Sequence, residues 1–427
     1  MNDIKTVENK ALKEKYLKIN HKSGLTIYVW QKPNYTSKYA IFGTNYGSID
    51  TAFLNKDGEK VEIPNGTAHF LEHKLFESED LDAFERYAKT GASANAYTSF
   101  DKTCYLFSCT ENFNESLEIL LDFVRHPYFT KQTVEKEQGI IGQEIKMYKD
   151  IPSWEILFNL LSIMFHNHPV KIDIAGTVDS IAKIDDKMLY SCYDNYYSLC
   201  NMALVVVGDV DVDEVLLLAD KYLEKVESSS FERVLPKEPD NIIKSRIEER
   251  LPVSRPMFAL GYKENIGPHN ISIKDEFVME LLLDILVSKS SDLYEKLIDE
   301  KLINSTFSYE YFYGYGYSVP MFSGESDDFE KAIEVIKSKI EEYKVNKISN
   351  DEFERQKKKL YGNIIKGYND TSNLANELIA CHFENKEIFD YPKVLESITL
   401  DDVNQRLEKV FKDEYSCVSI IKNSEEI

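Results

Sequence analysis

Residues 69–73 read HFLEH, inside the longer stretch NGTAHFLEHKLFESED at 65–80. Apolar residues recur there at helical spacing, at Ala68, Leu71, Leu75 and Phe76. The pattern predicts a helix that begins near Thr67, whose hydroxyl would cap it. His69 and His73 stand four residues apart, so both imidazoles would face the same side of that helix. Two imidazoles in this arrangement can bind one Zn²⁺ ion.

Glu72 lies between the two histidines and would flank such an ion without having to bind it. A carboxylate in that place can accept a proton from a water molecule that zinc has acidified. The order H-x-x-E-H is the inversion of the commoner zinc-peptidase motif H-E-x-x-H. The alternative is an amphipathic helix that carries these polar residues by chance. A zinc site of this kind needs a third ligand.

The stretch TVEKEQGIIGQEIKMYKD at 133–150 offers that ligand. Glu137 and Glu144 are seven residues apart, so both project from one face of the predicted helix. Three isoleucines indicate that much of this helix is buried: Ile140, Ile141 and Ile145. An inward carboxylate is costly unless it is paired or metal-bound. The alternative is an ordinary half-exposed helix, which the neighbouring Glu and Lys residues also allow.

Composition limits the class of protein. The chain has 427 residues, with 51 basic and 73 acidic residues and a formal net charge of −22. This balance argues against nucleic acid and anionic membrane surfaces as partners. The N-terminus lacks a signal-peptide pattern, and no apolar run reaches membrane-spanning length. The six cysteines form no C-x-x-C pair. We expect a cytoplasmic protein with reduced cysteines.

The chain is long enough for two domains, which we place at 1–230 and 231–427, with the boundary in a polar, proline-containing segment. The elements predicted for the first half are strands at 25–33 and 38–50, a hairpin at 92–110, helices at 113–126 and 131–149, and a buried strand at 201–211. Those predicted for the second half are a strand at 256–264, a helix at 274–300, a strand pair at 308–326, helices from 327 to 380 and a strand at 414–422. Both halves therefore share a coarse order of elements.

HFLEH and the downstream EKEQGIIGQE at 135–144 resemble the zinc metallopeptidases of the pitrilysin/insulinase family, peptidase family M16, in its short processing-peptidase-like branch. Three further stretches follow in the family's order: GASANAYTSFDKTCY at 91–105, HPVKIDIAGTVDSI at 168–181 and YYSLCNMALVVVGDVD at 196–211. The resemblance covers most of residues 20–225. The second half matches only in general layout.

The resemblance implies a role for each polar residue of the two motifs. His69, His73 and Glu144 would bind Zn²⁺, and Glu72 would be the catalytic base. Glu137 would tune the site without holding the metal.

The resemblance also implies an α+β fold of two homologous domains, each a mostly antiparallel sheet backed by helices. The first domain would carry the zinc site, and the second would serve substrate enclosure and dimerisation. Asn95 and Ala96 resemble the family's edge strand, to which an extended peptide adds as a further strand. The small residues around them leave room for another backbone.

The chain departs from the family in its second half. Active members commonly carry an Arg and a Tyr seven residues apart, where this chain has Ile298 and Ser305. Tyr309 or Tyr317 would be candidate substrate-binding substitutes for the tyrosine, although aromatic packing on a sheet is the favoured interpretation of both. We therefore expect a dimer in which a partner supplies the missing groups, either a second copy or a related subunit that lacks the zinc motif.

These observations predict a zinc-dependent endopeptidase that acts on peptides or unfolded segments. One rival is a non-catalytic structural or partner subunit of a peptidase-like complex. A second rival is a small-molecule lyase, which would need a catalytic cysteine near the metal, such as Cys104 or Cys109.

Overall fold

The computed structural model describes residues 2–54, 58–79, 81–224 and 233–424. The chain separates into two compact units. The first unit consists of Met1–Ile145, Asp173–Val234 and Ile365–Phe389, and the second of Lys146–Ile172, Leu235–Ile364 and Asp390–Ile427. The predicted domain boundary between residues 230 and 231 lies outside the described residues.

Nine strands belong to the first unit and five to the second, counted over the described residues. In chain order the strands are β1 (Asp3–Asn9), β2 (Glu14–Asn20), β3 (Thr26–Gln31), β4 (Lys38–Thr44), β5 (Ala52–Leu54), β6 (Lys60–Glu62), β7 (Ser93–Thr98), β8 (Thr103–Cys109), β9 (Met202–Gly208), β10 (Arg246–Leu251), β11 (Met257–Tyr262), β12 (Ser308–Gly314), β13 (Tyr317–Glu325) and β14 (Ser416–Asn423).

The α-helices account for most of the remaining described chain. They are α1 (Thr67–Leu75), α2 (Ala83–Thr90), α3 (Phe113–Arg125), α4 (Lys131–Lys149), α5 (Pro152–Met164), α6 (Val178–Ile181), α7 (Asp186–Tyr196), α8 (Val212–Tyr222), α9 (Ile273–Val287), α10 (Asp292–Asp299), α11 (Phe329–Asn346), α12 (Asn350–Gly367), α13 (Thr371–Glu384), α14 (Tyr391–Ser397) and α15 (Leu400–Val410). Across the described ranges, none of them has the length and apolar content that crossing a bilayer requires.

The first unit is built on a seven-stranded sheet with the order β1-β2-β3-β9-β4-β8-β7. β3 and β9 run parallel, and the other neighbouring pairs are antiparallel. Every residue of β9 is buried, as its unbroken apolar run predicts. The two strands predicted at 25–33 and 38–50 are present as β3 and β4, but β9 lies between them.

The second unit contains a five-stranded sheet with the order β10-β14-β11-β13-β12. β10 and β14 are parallel, and the other neighbours are antiparallel. This pattern is the same as that of β3-β9-β4-β8-β7 in the first sheet. The α+β class and the predicted repeat of architecture in the two halves are therefore confirmed.

The two faces of the first sheet meet different helices because side chains alternate along a strand. Leu204 and Val206 of β9 belong to the buried cluster that contains the apolar residues of α1 and α3. The opposite face receives α13, which packs on β9 and β4. There, the Asn376 side-chain amide donates to the Tyr39 hydroxyl at 3.2 Å.

Each compact unit includes one helix that belongs, in the sequence, to the other half of the chain. α13 packs on the first sheet, and α5 packs on β14, β11 and β10 of the second. Each of these helices packs closely against a glycine of its sheet. A Cβ atom on Gly43 would lie 2.7 Å from the Ile379 side chain, and one on Gly261 would lie 2.9 Å from the Leu160 side chain. The compact units therefore differ from the continuous halves 1–230 and 231–427 by these exchanged segments. The separate roles assigned to the two halves stay predictions.

Three local predictions need correction. Gly66, not Thr67, caps α1, and the Thr67 hydroxyl instead donates to the Pro64 carbonyl at 2.6 Å. Ile140 is 47% exposed, whereas Ile141 and Ile145, which lie about 100° and 140° further round α4, are buried. The helix predicted at 274–300 is two helices, and the hydroxyl of Ser291 accepts from the Tyr294 backbone to cap the second.

Candidate metal centre

A glycine sets the direction in which α1 leaves the preceding turn. Gly66 has φ +90°, and a Cβ atom there would lie 2.3 Å from the carbonyl oxygen of Ala175. Only glycine adopts this left-handed conformation without a steric cost. The helix then buries Phe70 and Leu71 in the core of the first unit. This anchoring turns the opposite side of α1, which carries the two histidines, towards α4.

The imidazoles of His69 and His73 lie next to each other, with ring centroids 4.6 Å apart. The Glu144 carboxylate of α4 faces both rings. Its Oε1 lies 3.8 Å from His69 Nε2, and its Oε2 lies 3.6 Å from His73 Nε2. These separations exceed hydrogen-bond length. They are close to the spacing of about 3.4 Å between ligand atoms that surround one tetrahedral zinc ion at about 2.1 Å. The donor set therefore fits zinc.

Glu137 holds His73 from the other side of the ring. Its carboxylate is buried, and its Oε1 lies 3.0 Å from His73 Nδ1. A proton on Nδ1 satisfies this hydrogen bond and leaves Nε2, which faces Glu144, free to bind a metal. Glu137 therefore orients the His73 ring and is not itself among the groups that face the common point.

Glu72 completes the cluster. Its carboxylate and the rings of His69 and His73 offer ligand atoms that all lie within 4.8 Å of one another. Burial raises the pKa of Glu72 to about 7, although His73 and a hydrogen bond from Thr98 oppose the shift. The Thr98 hydroxyl donates to Glu72 Oε2 at 3.2 Å. A carboxyl group with this pKa can both accept and return a proton near neutral pH.

The two histidines differ in their affinity for protons. Burial, with a contribution from His73, lowers the pKa of His69 to about 3. His69 is therefore neutral at physiological pH, which is the form that binds metals. Burial also lowers the pKa of His73, but the hydrogen bond that His73 donates to Glu137 and the charges of Glu72 and Glu144 outweigh it and raise that pKa overall.

The strand that carries Asn95 and Ala96 borders the site. β7 pairs with β8 and is the last strand of the first sheet in the described part of the chain. α1 packs against β7. The Asn95 side-chain oxygen accepts a hydrogen bond from the Ala96 backbone at 2.9 Å. β7 is therefore an edge strand in the described part of the chain, and its contact with substrate stays a prediction.

Tyr309 and Tyr317 lie in the second unit. The Tyr309 hydroxyl donates to Asp284. Tyr317 is 2% exposed, and its ring contacts His168 and Phe312. This burial favours aromatic packing for Tyr317, and a role towards substrate stays a prediction for both tyrosines.

Two features of the site were not predicted from the sequence. The sharp turn at Gly66 has a signal, because Pro64-Asn65-Gly66 is a turn sequence directly before the helix. The contact between Thr98 and Glu72 has no signal in spacing or composition, because it arises only when α1 packs on β7.

Comparison with known proteins gives a consistent assignment. The family model described as insulinase (peptidase family M16) matches residues 58–178, and the one described as peptidase M16 inactive domain matches residues 183–360. The relative named "Uncharacterized zinc protease YmfH" of Bacillus subtilis (strain 168) is 39% identical over 99% of this chain and 100% of its own length. A second relative of that organism, "Uncharacterized zinc protease YmxG", is 25% identical over 85% of this chain and 90% of its own.

Solved structures agree with this match. The crystal structure of an M16-like peptidase from Alicyclobacillus acidocaldarius aligns with a TM-score of 0.89 at 34% identity and covers 99% of both chains. A protease from Helicobacter pylori aligns with a TM-score of 0.83 at 22% identity, over 99% of this chain and 100% of that one, and so shares its fold. The resemblance carried by HFLEH and EKEQGIIGQE is thus confirmed, and the chain belongs to the insulinase family of peptidases, M16.

Proposed function

We propose that this protein is a zinc-dependent endopeptidase that cleaves peptides or unfolded segments. The observation that carries the proposal is the convergence of His69 Nε2, His73 Nε2 and the Glu144 carboxylate from two helices, with Glu72 beside them. The names of the relatives support zinc and proteolysis at the level of the family.

Each residue would have a separate task in the reaction. His69, His73 and Glu144 would hold the zinc ion, and Glu137 would keep the ring of His73 in its binding orientation. A bound zinc ion would supply Lewis acidity for the scissile carbonyl and for a water molecule. Glu72 would take a proton from the attacking water and return it to the leaving amine. The burial that raises the pKa of Glu72 favours this two-way transfer.

The edge strand would hold the substrate. A peptide in extended conformation would add to β7 and exchange backbone hydrogen bonds with it near Asn95 and Ala96. Folded proteins lack free extended segments, so flexible peptides would be favoured. The net charge of −22 would also favour cationic peptides.

A partner would complete the site. Ile298 and Ser305 would fall where the family commonly carries an Arg and a Tyr. Ile298 has no hydrogen-bond donor, and Ser305 offers one neutral hydroxyl on a much shorter side chain than tyrosine, so the positive charge and reach of the usual pair are missing. We therefore propose a dimer, with either a second copy or a related subunit that lacks the zinc motif.

Two other functions are less well supported. A non-catalytic subunit has no need of the complete donor set found here. A cysteine-dependent lyase would need a thiolate, but burial raises the pKa of Cys104 to about 12 and that of Cys109 to about 11. Both thiols would stay protonated at neutral pH.

The test is cleavage of a quenched fluorescent peptide library by the full-length protein, alone and with a co-encoded related subunit, together with zinc analysis. We expect about one zinc ion per chain. Glu72→Gln should lower kcat by about 10²- to 10⁴-fold and retain zinc, because it removes only the proton carrier. The matched control Glu135→Gln, on the exposed side of α4, should cleave like the wild type.

Undiminished cleavage by Glu72→Gln would contradict the mechanism. A preparation that contains no zinc and cleaves nothing, alone or with the related subunit, would favour the non-catalytic role. Cleavage by the protein alone would contradict the need for a different partner.

A further inference from the structure

The Thr98 hydroxyl is the hydrogen-bond donor that the described residues provide to Glu72. We propose that Thr98 is a positioning residue, which holds the Glu72 carboxylate for proton transfer and links it to the strand that binds substrate. The inference rests on the proposed function, because it assigns Thr98 a role in the task of Glu72. Thr98 would touch neither the metal nor the reacting atoms.

The direction of this hydrogen bond follows from its partners. An ionised carboxylate can only accept, so the Thr98 hydroxyl donates to Glu72 Oε2, 3.2 Å away. On the other side, Glu72 has the rings of His69 and His73 within 4.8 Å. Without the hydroxyl, the carboxylate would be free to turn towards the point between those ring nitrogens and bind the metal there as a further ligand. Thr98 therefore keeps the carboxylate beside the ligands instead of among them.

Thr98 is itself firmly oriented. It pairs with Thr103 in the final rung of the β7–β8 hairpin. The buried Thr103 hydroxyl lies 3.4 Å from the Thr98 hydroxyl and donates to the Tyr46 carbonyl at 2.8 Å. A β-branched side chain also has few χ1 choices in a strand. The donor is thus in place before substrate arrives.

The position of Thr98 on β7 supplies the link to substrate. Ala94, Ala96 and Thr98 share one face of the strand because side chains alternate. Ala94 and Ala96 pack against the core of the first unit, and their small size lets α1 approach. Thr98 is the next residue on that face and the first that carries a hydrogen-bond donor. A peptide added at Ala96 would stiffen the backbone two residues away and so fix the donor more tightly.

The test compares variants that separate shape from hydrogen bonding, in the full-length zinc-loaded protein with a quenched peptide substrate. Thr98→Val keeps the branched shape and loses the hydroxyl, whereas Thr98→Ser keeps the hydroxyl. Thr98→Val should lower kcat by about 10- to 100-fold, the effect of one hydrogen bond to a charged group, with KM within about twofold. Zinc content should not change. Thr98→Ser should keep most of kcat, and the exposed Thr110→Val should match the wild type.

Three outcomes would overturn this inference. They are a wild-type kcat in Thr98→Val, an equal loss in Thr98→Val and Thr98→Ser, and a loss of zinc from Thr98→Val. If the wild type cleaves, Glu72→Gln is inactive and Thr98→Val is normal, only this inference fails and the proposed function survives.

A structural readout does not depend on activity. Crystal structures of the zinc-loaded wild type and Thr98→Val should show the Glu72 carboxylate hydrogen-bonded to Thr98 in the first and turned away from residue 98 in the second. The same carboxylate orientation in both structures would overturn the inference.

Discussion

The Glu137 carboxylate accepts a hydrogen bond from His73 Nδ1 but does not face the point on which His69, His73 and Glu144 converge. We predict that Glu137→Gln weakens zinc binding and leaves the three ligands in place. Glutamine has nearly the same size and can still accept from His73 Nδ1, so the ring keeps its orientation. The substitution removes only the negative charge that makes the imidazole a stronger electron donor.

The size of the effect follows from the geometry. The bond is 3.0 Å long, and the Glu137 side chain is only 8% exposed, so solvent screens its charge weakly. A hydrogen bond to a charged group contributes about 1.5 to 3 kcal/mol, and one between neutral groups contributes about 1 kcal/mol. The expected loss is about 1 to 2 kcal/mol, or about 5- to 30-fold in the zinc dissociation constant.

The assay is competition for zinc between the protein and a chromophoric chelator at fixed pH. Glu135→Gln, which removes an exposed carboxylate two residues away on the same helix, is the control and should bind zinc like the wild type. Unchanged affinity in Glu137→Gln would refute the role assigned to this carboxylate. Complete loss of zinc, with a folded protein, would show that Glu137 is itself a ligand.

Three further perturbations test the scaffold around the site. Gly66→Ala should lower stability by about 1 to 3 kcal/mol in chemical denaturation, because the residue needs φ +90° and its Cβ would meet a backbone carbonyl. Arg233→Met should lower the free energy of unfolding by about 3 to 5 kcal/mol, because it leaves the buried Asp50 carboxylate, which lies 2.6 Å from Arg233 Nε, without its charged partner. The double variant Arg233→Met/Asp50→Asn should recover most of this loss. Burial, aided by Lys18, lowers the pKa of His382 from 6.5 to about 4, so the unfolded chain binds more protons between these values. The contribution of His382 to the free energy of unfolding should therefore be complete above about pH 6.5 and should fall by about 3 kcal/mol as the pH drops to about 4. Urea titrations over this pH range should show a smaller fall for His382→Asn than for the wild type.

Most of the fold could be predicted from the sequence, because its elements carry strong local patterns. The buried strand at 201–211, the helices that carry the two motifs and the hairpin at 92–110 all appear where they were predicted, as β9, α1, α4 and the pair β7–β8. The position of β9 between β3 and β4 could not be predicted from the sequence, because strand order depends on contacts between residues far apart in the chain. The exchange of α5 and α13 between the halves is non-local for the same reason.

The candidate site divides in a similar way. Spacing alone places His69 with His73 and Glu137 with Glu144, because one helix fixes each pair. The meeting of the two pairs depends on how α1 and α4 pack, and the family resemblance supplied it. The exposure of Ile140 was mispredicted, because in the sequence it is an isoleucine next to the buried Ile141, and only the packing of α4 distinguishes the two. Thr98 was missed because its partner lies on another element.

The exchange of helices between the halves also sets an order of events during synthesis. The first sheet has all its strands once β9 has left the ribosome, but the helix that covers its second face begins roughly 160 residues later, at Thr371. At a synthesis rate of about 5 to 20 residues per second, the second face of the sheet stays uncovered for roughly 10 to 30 s. During this interval we expect the uncovered apolar face to be protected by chaperones or by transient collapse. For the same reason, the fragments 1–230 and 231–427 would each lack one helix of their own compact unit, so we expect neither fragment to fold fully without the other.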